Sequence, residues 1–189
     1  AGSDIMMGEL VYKRGTLITP RELGVLAAIG LDKITVFRKP KVAIISTGDE
    51  ISPLGVSLKP GKIYDINASI ISGFVKESGC DPIFLGIAPD DADVILDRIK
   101  EGFEVADVVI TSGSTSAGVK DVLYQLIDQL GNPGILVHGI RIRPGKPTII
   151  GVVNGKPFFG LPGYPTSASM VFMQLFSPIL RQMAGLSPT

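Results

Sequence analysis

The chain has 189 residues and is poor in the residue types that many catalytic and metal centres need. It contains one cysteine, Cys80, one histidine, His138, and no tryptophan. One thiol cannot form an internal disulfide or a multi-thiolate zinc site, and one imidazole contributes little to a Ser–His triad or a His-rich metal centre. We therefore interpret both residues as structural.

Net charge and long apolar runs are also missing. The 18 Lys and Arg residues balance the 18 Asp and Glu residues, which argues against a general nucleic-acid binder because affinity for phosphate backbones comes from clustered positive charge. No unbroken apolar run reaches the roughly 20 residues that cross a bilayer. The first residues show no signal-peptide pattern, and a free thiol suits a reducing compartment. These features predict a cytoplasmic protein.

Glycine and proline are abundant in contrast, with 23 and 14 residues that lie between apolar runs. Residues 1–38 form a small unit in which a capping Thr19 starts a helix that ends before Gly30. Pro40 then breaks the pattern, so we expect a second domain over residues 41–185. Two strands are predicted to flank the first helix, at Glu9–Lys13 and Ile34–Phe37.

Apolar runs alternate with amphipathic segments from residue 41 to residue 130. This β-α order predicts a three-layer α/β/α domain with a mostly parallel sheet. The predicted strands are 42–45, 83–85 and 108–110. Three helices are predicted: one begins at Asn67, a second begins at Asp90–Asp91, and a third covers residues 122–130.

Short strands replace this alternation after Gly134. Three predicted antiparallel or edge strands, and a hairpin turn at Asn154–Gly155, precede a final helix over about 165–183. That helix is apolar nearly all round, which predicts burial on more than one side, within the domain or against another subunit. The three strands are Ile135–Val137, Ile140–Ile142 and Thr148–Ile150.

Three loops at the carboxyl ends of the predicted strands could bind an anion. Residues 111–118 are rich in glycine and hydroxyl groups and lead into a helix. Residues 143–147 hold two cations between prolines, and residues 160–168 precede the last helix. Each loop also has a plainer interpretation. Residues 111–118 could be a simple connection, residues 143–147 could carry solvated surface charge, and residues 160–168 could only cap the last helix.

Carboxylates follow the same strands, at Asp49, Asp65, Asp90 and Asp121. Because carboxylates repel a phosphate unless a cation lies between them, this combination predicts Mg²⁺ with a phosphorylated substrate. Asp90 could instead cap a helix together with Asp91, and Asp65 could serve a turn.

Six motifs occur in an order that resembles the molybdopterin molybdenumtransferases, which are related to the E domain of gephyrin. The resemblance covers essentially the whole chain. It implies that residues 1–38 are the tail of a preceding domain and that residues 41–185 are the molybdopterin-binding α/β domain, which molybdopterin adenylyltransferases share. The motifs are Val42–Glu50, Lys59–Asn67, Gly86–Asp91, Thr111–Gly113, Arg143–Pro147 and Gly160–Gly163.

The resemblance also implies an activity and a set of roles. The activity is the Mg²⁺-dependent insertion of molybdate or tungstate into adenylylated molybdopterin, with release of AMP, by a homodimer that has a molybdopterin adenylyltransferase as a further partner. Asp121 and Lys146 would be catalytic, and Asp49 and Asp121 would bind the metal. The implied substrate-binding residues are Ser112, Gly113, Ser114, Ser116, Gly118, Asp90, Arg143, Pro147 and Ser167.

Several positions depart from the family pattern. Ser114 and Val119 change the Gly-rich loop, Tyr164 replaces an asparagine, and Arg143 replaces a lysine. The family's inserted domain and C-terminal β-domain have no counterpart in this sequence. Adenylyl transfer to molybdopterin and a non-catalytic pterin-binding or dimerising scaffold therefore remain as alternatives.

Overall fold

The computed structural model describes residues 5–113, 125 and 127–187 of the chain. Its strands are β1 (Lys41–Thr47), β2 (Ile51–Ser52), β3 (Ile63–Tyr64), β4 (Asp81–Ala88), β5 (Val108–Gly113), β6 (Pro133–His138), β7 (Ile149–Val153) and β8 (Lys156–Leu161). Its helices are α1 (Pro20–Ala28), α2 (Ile66–Glu77), α3 (Ala92–Val105), α4 (Pro165–Val171) and α5 (Ser177–Met183), with a π-helical turn, Phe172–Phe176, between α4 and α5. In the part of the chain so described, no helix is long and apolar enough to span a membrane.

Six strands form the main sheet in the order β4-β1-β5-β8-β7-β6. The first four are parallel to one another, whereas β7 and β6 are added as antiparallel strands. The mostly parallel α/β fold is thus confirmed, and so are the strands predicted at 42–45, 83–85 and 108–110. In the helix predicted across 122–130, the described residues 125 and 127–129 are helical.

Helices cover both faces of the sheet, as the alternation along β1 shows. Val42 and Ile44 face a core that contains residues of α2, α4 and α5, whereas Ala43 and Ile45 face a second core that contains residues of α3. All four side chains are fully buried, because successive side chains of a strand point to opposite faces and both faces are covered. This arrangement confirms the three-layer prediction.

The predicted last helix is present as α4, the π-helical turn and α5. Its apolar character is explained by the sheet, since the ring of Phe176 stacks on Phe159 of β8 with centroids 4.0 Å apart. Phe172 packs on Phe74 of α2 at 5.4 Å. The helix therefore fills one core, although Met173 keeps half of its surface exposed.

The N-terminal unit differs from its prediction. Helix α1 forms after Thr19 with the expected capping box, but Glu9–Lys13 and Ile34–Phe37 are not strands. That prediction was wrong because a strand needs a neighbour to complete its backbone hydrogen bonds, and no described strand pairs with either segment.

A bidentate ion pair joins this unit to the α/β domain. The Arg38 guanidinium donates to both carboxylate oxygens of Asp107 at 2.7 Å, and the Lys41 backbone N–H donates to the same carboxylate at 2.8 Å. These bonds hold the pKa of Asp107 at about 2, with the side-chain bond from Arg38 as the largest cause.

Candidate functional site

The strand directions bring the predicted loops to one edge of the sheet. Strands β4, β1, β5 and β8 are parallel, so their carboxyl ends lie together; we call this the carboxyl edge. Ile149 at the start of β7 pairs with Gly160 near the end of β8, so the β6–β7 connection emerges at the same edge. The described predicted site residues on this edge are Asp49, Asp90, Ser112, Gly113, Arg143, Lys146, Pro147 and Ser167.

Charge changes sign along the carboxyl edge. Asp90 and Asp49 follow β4 and β1, the hydroxyl and glycine residues follow β5, and Arg143 and Lys146 lie beside β7. Since neighbouring strands are about 4.8 Å apart, the three steps from β1 to β7 span roughly 14 Å. The acidic and basic ends are therefore placed to contact separate parts of one long ligand.

A cleft of about 220 Å³ lies at the acidic half of this edge. Of the predicted site residues, it contains Ser112 and Gly113, whereas Asp49, Asp90, Arg143, Lys146, Pro147 and Ser167 lie outside its lining. Its lining is Ser46, Thr47, Glu50, Ile51, Ile63, Asp65, Asn67, Ser112, Gly113, Gly163, Tyr164 and Pro165.

Asn67 has a different role from the helix cap that the sequence predicted. Asp65 is the cap of α2, and its Oδ1 accepts the Ala68 N–H at 2.9 Å. Asn67 lies inside the helix, where its Nδ2 donates to Ser112 Oγ and to the Gly163 carbonyl, each at 2.8 Å. The capping prediction was wrong because the helix begins one residue before Asn67. The side-chain amide of Asn67 instead connects α2 with the end of β5 and with the loop before α4.

Three buried polar atoms of the cleft lack a hydrogen-bond partner among the described residues: Ser46 Oγ, Asp65 Oδ2 and Asn67 Oδ1. Ser46 and Asp65 are only 2% and 5% exposed. A buried unsatisfied polar atom costs about 1–3 kcal/mol, so an N–H or O–H donor, from the rest of the chain or from a ligand, would stabilise each of these atoms. Sequence analysis missed this use of Asp65 and Asn67; their place directly after a strand was the available signal.

The acidic end of the edge is built from Asp49 and Asp90. The Asp90 backbone N–H donates to Asp49 Oδ1 at 3.2 Å, and Asp90 Oδ1 is buried without a partner among the described residues. Burial raises the pKa of Asp90, and the neighbouring Glu50 and Asp49 carboxylates raise it further. The predicted helix cap is Asp91, which accepts from the N–H groups of Asp93 and Val94.

This acidic end fits Mg²⁺ in part. Mg²⁺ is commonly held by one or two carboxylates together with substrate phosphates and water, and Asp49 with Asp90 provides two adjacent carboxylates, one with a free buried oxygen. The described residues contain no group of three or more His, Cys, Asp or Glu side chains arranged around a metal position. A complete site would thus need the substrate or residues outside the described part.

The basic loop is anchored by the backbone on both sides. Gly139 N–H donates to the Thr148 carbonyl at 2.8 Å, and Ile140 N–H donates to the Lys146 carbonyl at 3.0 Å. These two bonds join the ends of segment 139–148 to each other and form a loop. Residues Ile140–Ile142 lie in this loop and are not a strand, so that prediction was wrong. Arg143 and Lys146 are left exposed at the carboxyl edge.

Ser167 lies in the first turn of α4 and is 7% exposed. It is separated by Thr166 from Gly163, Tyr164 and Pro165 of the cleft. The remaining predicted positions, Ser114, Ser116, Gly118, Val119 and Asp121, lie outside the described residues.

The comparison with protein families decides the identity of the domain. Residues 43–182 match the family described as a probable molybdopterin binding domain. The chain belongs to this family. Molybdopterin molybdenumtransferases of Haemophilus influenzae and Bacillus subtilis are each 34% identical to it, over 97% and 95% of the chain. These matches cover only 45% and 42% of the two relatives, so the chain spans less than half of their length.

Solved structures place the molybdopterin-binding domain in the same fold. The molybdopterin biosynthesis protein MoeA of Pyrococcus horikoshii is 47% identical, with a TM-score of 0.87, over 96% of this chain and 45% of that protein. The tungsten cofactor synthesizing protein MoaB of Pyrococcus furiosus has a TM-score of 0.56 at 20% identity over 78% of this chain and 98% of that protein, a likeness of fold alone.

Proposed function

We propose that this chain is the molybdopterin-binding core of a molybdopterin molybdenumtransferase, which inserts molybdate or tungstate into adenylylated molybdopterin and releases AMP. The observation that carries the proposal is the order of groups along the carboxyl edge, from carboxylates through a hydroxyl and glycine loop to two cations. The names of the relatives that are similar to the chain over most of its length support it.

The substrate has a shape that suits this order. Adenylylated molybdopterin joins a pterin and a nucleoside through two phosphates, so it is long and carries its charge in the middle. A span of roughly 14 Å between the β1 and β7 ends of the edge allows such a molecule to contact the carboxylates and the cations at different points. A small anion alone would reach only one of them.

The acidic end would hold the metal ion. We assign Asp49 and Asp121 as its ligands, with Asp90 beside Asp49, where its N–H fixes one oxygen of the Asp49 carboxylate. Bound Mg²⁺ would neutralise phosphate charge and act as a Lewis acid at the phosphoanhydride. Ser112 and Gly113, followed by Ser114, Ser116 and Gly118, would bind the phosphates through hydroxyl and backbone N–H donors.

The basic end would receive the oxyanion. Arg143 and Lys146 are exposed cations on a backbone-anchored loop, so they can neutralise molybdate or tungstate as it approaches. Pro147 restricts the loop beside Lys146, and Ser167 offers a hydroxyl at the start of α4. Lys146 and Asp121 are the two residues that we assign to catalysis.

We also propose that the whole protein works as a homodimer and receives its adenylylated substrate from a molybdopterin adenylyltransferase. Large apolar side chains that remain exposed support an interface. In the N-terminal unit Met6, Leu10 and Val36 are more than 60% exposed. Burial of such side chains against another chain or domain would be favourable.

Product analysis with the full-length protein tests the function. AMP release from adenylylated molybdopterin with Mg²⁺ and molybdate is expected for wild type and is expected to fall at least about 100-fold in Asp121→Asn and Lys146→Met, as for loss of a group that stabilises transition-state charge. Asp97→Asn on the exposed face of α3 is the control. ATP-dependent formation of the adenylylated pterin would instead show an adenylyltransferase, and binding without turnover would show a scaffold.

A further inference from the structure

Three cations share the loop of residues 139–148, which we call the basic loop. Arg141, Arg143 and Lys146 are exposed, and the loop contains no Asp or Glu. The ion pairs found among the described residues involve none of these three side chains. The place of the charges along the carboxyl edge therefore depends on how the backbone of the loop is held.

Hydrogen bonds hold both peptide units that flank Lys146. The unit before it is held through the Gly145 carbonyl, which accepts a hydrogen bond from Thr148 Oγ1 at 2.7 Å. The unit after it is held through the Lys146 carbonyl, which accepts from the Ile140 N–H at 3.0 Å. Because each peptide unit is planar, two fixed units define the direction of the Cα–Cβ bond between them. The starting point of the Lys146 side chain is thus set by these two bonds.

Thr148 is itself fixed by the fold. Its side chain is fully buried, and its carbonyl accepts from the Gly139 N–H at 2.8 Å. The next residue, Ile149, pairs with Gly160 in the main sheet. Since threonine is branched at Cβ, its χ1 angle is restricted as well. The Thr148 hydroxyl therefore connects the basic loop to the rigid sheet.

The peptide that Thr148 holds also packs on α4. Gly145 is buried, and a Cβ added to it would lie 2.6 Å from Val171 Cγ2. Val171 and Ser167 are four residues apart in α4 and are both buried, so they lie on the same face of that helix. Gly145 therefore packs on the face of α4 that carries Ser167. The bond from Thr148 consequently also affects how Lys146 and the Ser167 hydroxyl are placed relative to each other.

We propose that Thr148 is a positioning residue for the oxyanion end of the site. Its hydroxyl holds the Gly145 carbonyl and thereby the peptide from which the Lys146 side chain extends. Without the hydroxyl, the carbonyl of the buried Gly145 loses its donor, and a buried carbonyl that has lost its partner favours any backbone shift that restores one. Such a shift displaces the ammonium group that meets a tetrahedral oxyanion such as molybdate. This inference rests on the proposed function for the role of Lys146, but its test does not require turnover.

The sequence provides a selective NMR signal for this peptide. Labelling glycine with ¹³C at its carbonyl and lysine with ¹⁵N at its amide isolates the signals of Gly–Lys pairs, which in this chain are 61–62, 145–146 and 155–156. The Lys146 amide follows the Gly145 carbonyl directly. In Thr148→Val, which keeps the shape of the side chain, the Lys146 signal is expected to shift without any ligand, whereas the Lys62 and Lys156 signals should stay in place.

Titration of the full chain with sodium molybdate, at constant ionic strength, measures the consequence for binding. The Lys146 signal of wild type is expected to move as molybdate is added. Thr148→Val should bind molybdate at least about tenfold more weakly, as for the loss of one hydrogen bond to a charged group. Thr148→Ser keeps the hydroxyl donor and should stay within about threefold of wild type.

Thr16→Val is the matched control. Thr16 Oγ1 also donates to the carbonyl three residues earlier, that of Lys13, at 2.7 Å, but it lies in the N-terminal unit. This variant should bind molybdate as wild type does. If Thr148→Val does not fold, Thr148→Cys replaces it, because a thiol is a weaker donor than a hydroxyl; it should bind molybdate at least about threefold more weakly than Thr148→Ser.

A double-mutant cycle tests whether Thr148 acts through Lys146. Calorimetric titration with molybdate gives the affinities of Lys146→Met and of the double variant Lys146→Met with Thr148→Val. The second substitution should weaken binding by less than about twofold in this background, because a residue that only positions Lys146 has no effect once the ammonium group is gone. A full tenfold loss there would contradict the positioning role.

The outcomes distinguish this inference from the proposed function. Unchanged molybdate affinity in Thr148→Val, with or without a loss of thermal stability, would overturn the inference, and so would an equal loss in Thr16→Val or a wild-type Lys146 signal that ignores molybdate. Each of these results is compatible with AMP release by the full-length protein. Molybdate binding that depends on the Thr148 hydroxyl, in a protein that never releases AMP, would support the inference and refute the transferase.

Discussion

The side-chain amide of Asn67 lies 2.8 Å from Ser112 Oγ and 2.8 Å from the Gly163 carbonyl. One side chain near the start of α2 thereby connects the end of β5 with the loop before α4. These three segments are far apart in the sequence, and their contact closes one side of the cleft. The bonds of Asn67 make this geometry testable.

Asn67→Asp should destabilise the domain. A carboxylate cannot donate to the Gly163 carbonyl, and it would add a negative charge next to Asp65, so we expect a loss of about 1–3 kcal/mol in the free energy of unfolding. Urea unfolding at pH 7 measures this loss. Asn132→Asp at an exposed position is the matched control, and an equal effect of the two substitutions would contradict a role of Asn67 in holding the loops.

Arg38→Met should remove an acid-sensitive contribution to stability. The pKa of Asp107 is about 2 in the folded state, below its ordinary value of 3.8. A lowered carboxylate pKa stabilises the fold above the unfolded pKa, and this stabilisation is lost as the pH falls from about 4 to about 2.

Wild type should therefore be more stable than Arg38→Met at pH 6, and the difference should shrink as the pH approaches 2. Thermal unfolding at a series of pH values measures this trend. Arg98→Met, in an exposed pair with Glu101 at 2.8 Å, should have a smaller effect. A constant difference between wild type and Arg38→Met at all pH values would show that the Asp107 pair does not set the pH dependence.

Cys80 should be unreactive in the folded protein. It is 2% exposed, and burial, followed by the charges of Asp81 and Asp107, raises the pKa of its thiol from 9.0 to about 11. A pKa raised by about two units means about 100-fold less thiolate at pH 8, and the thiolate is the reactive form. The rate of modification by a thiol reagent, with and without urea, measures this protection.

The same shift predicts a loss of stability in alkali. A raised thiol pKa leaves stability intact below pH 9 and reduces it as the pH rises toward 11, because the unfolded chain ionises first. Cys80→Ala should lack this particular loss. Rapid modification of the native protein at pH 8 would show that the thiol is accessible after all.

Gly145→Ala should disturb the basic loop. Gly145 has a φ of +118°, and an added Cβ would lie 2.6 Å from Val171 Cγ2 and 3.1 Å from Ile142 Cδ1. We expect both backbone strain and a collision with α4, with a loss above about 2 kcal/mol. Gly155→Ala, with a φ of +81° and no atom within 4 Å of the added Cβ, measures the backbone cost alone. Denaturation midpoints compare the two, and similar losses would exclude the collision.

The element order was available from the sequence because local patterns determine it. Runs such as Val42–Ile45 are apolar throughout, as strands covered on both faces must be. The pair Thr19 and Glu22 forms a capping box, which marks the start of a helix. The Asn154–Gly155 pair favours the positive φ angles of a two-residue hairpin turn. The segments Glu9–Lys13 and Ile34–Phe37 show the limit of such patterns, because a strand also depends on a neighbour that its own residues do not specify.

The carboxyl edge could be predicted for a related reason. Ligand loops follow the carboxyl ends of parallel strands, so Ser112 and Gly113 could be placed at the site from their position after β5. The positions of Asp65 and Asn67 relative to these loops could not be predicted. A shift of one residue in the start of α2 would change which side chain caps the helix and which side chain contacts Ser112. Hydrogen bonds over 45 and 96 residues of sequence leave no local pattern.

The amino-acid sequence by itself determined the α/β class, the order of most elements and the family, because hydrophobic periodicity, turn residues and motifs are properties of neighbouring residues. Only the tertiary structure decided that Ser46, Asp65 and Asn67 share one cleft and that Lys146 lies several strands away from Asp49. The physical reason is that strand order and helix docking bring distant segments together, and burial then decides which polar atoms find partners.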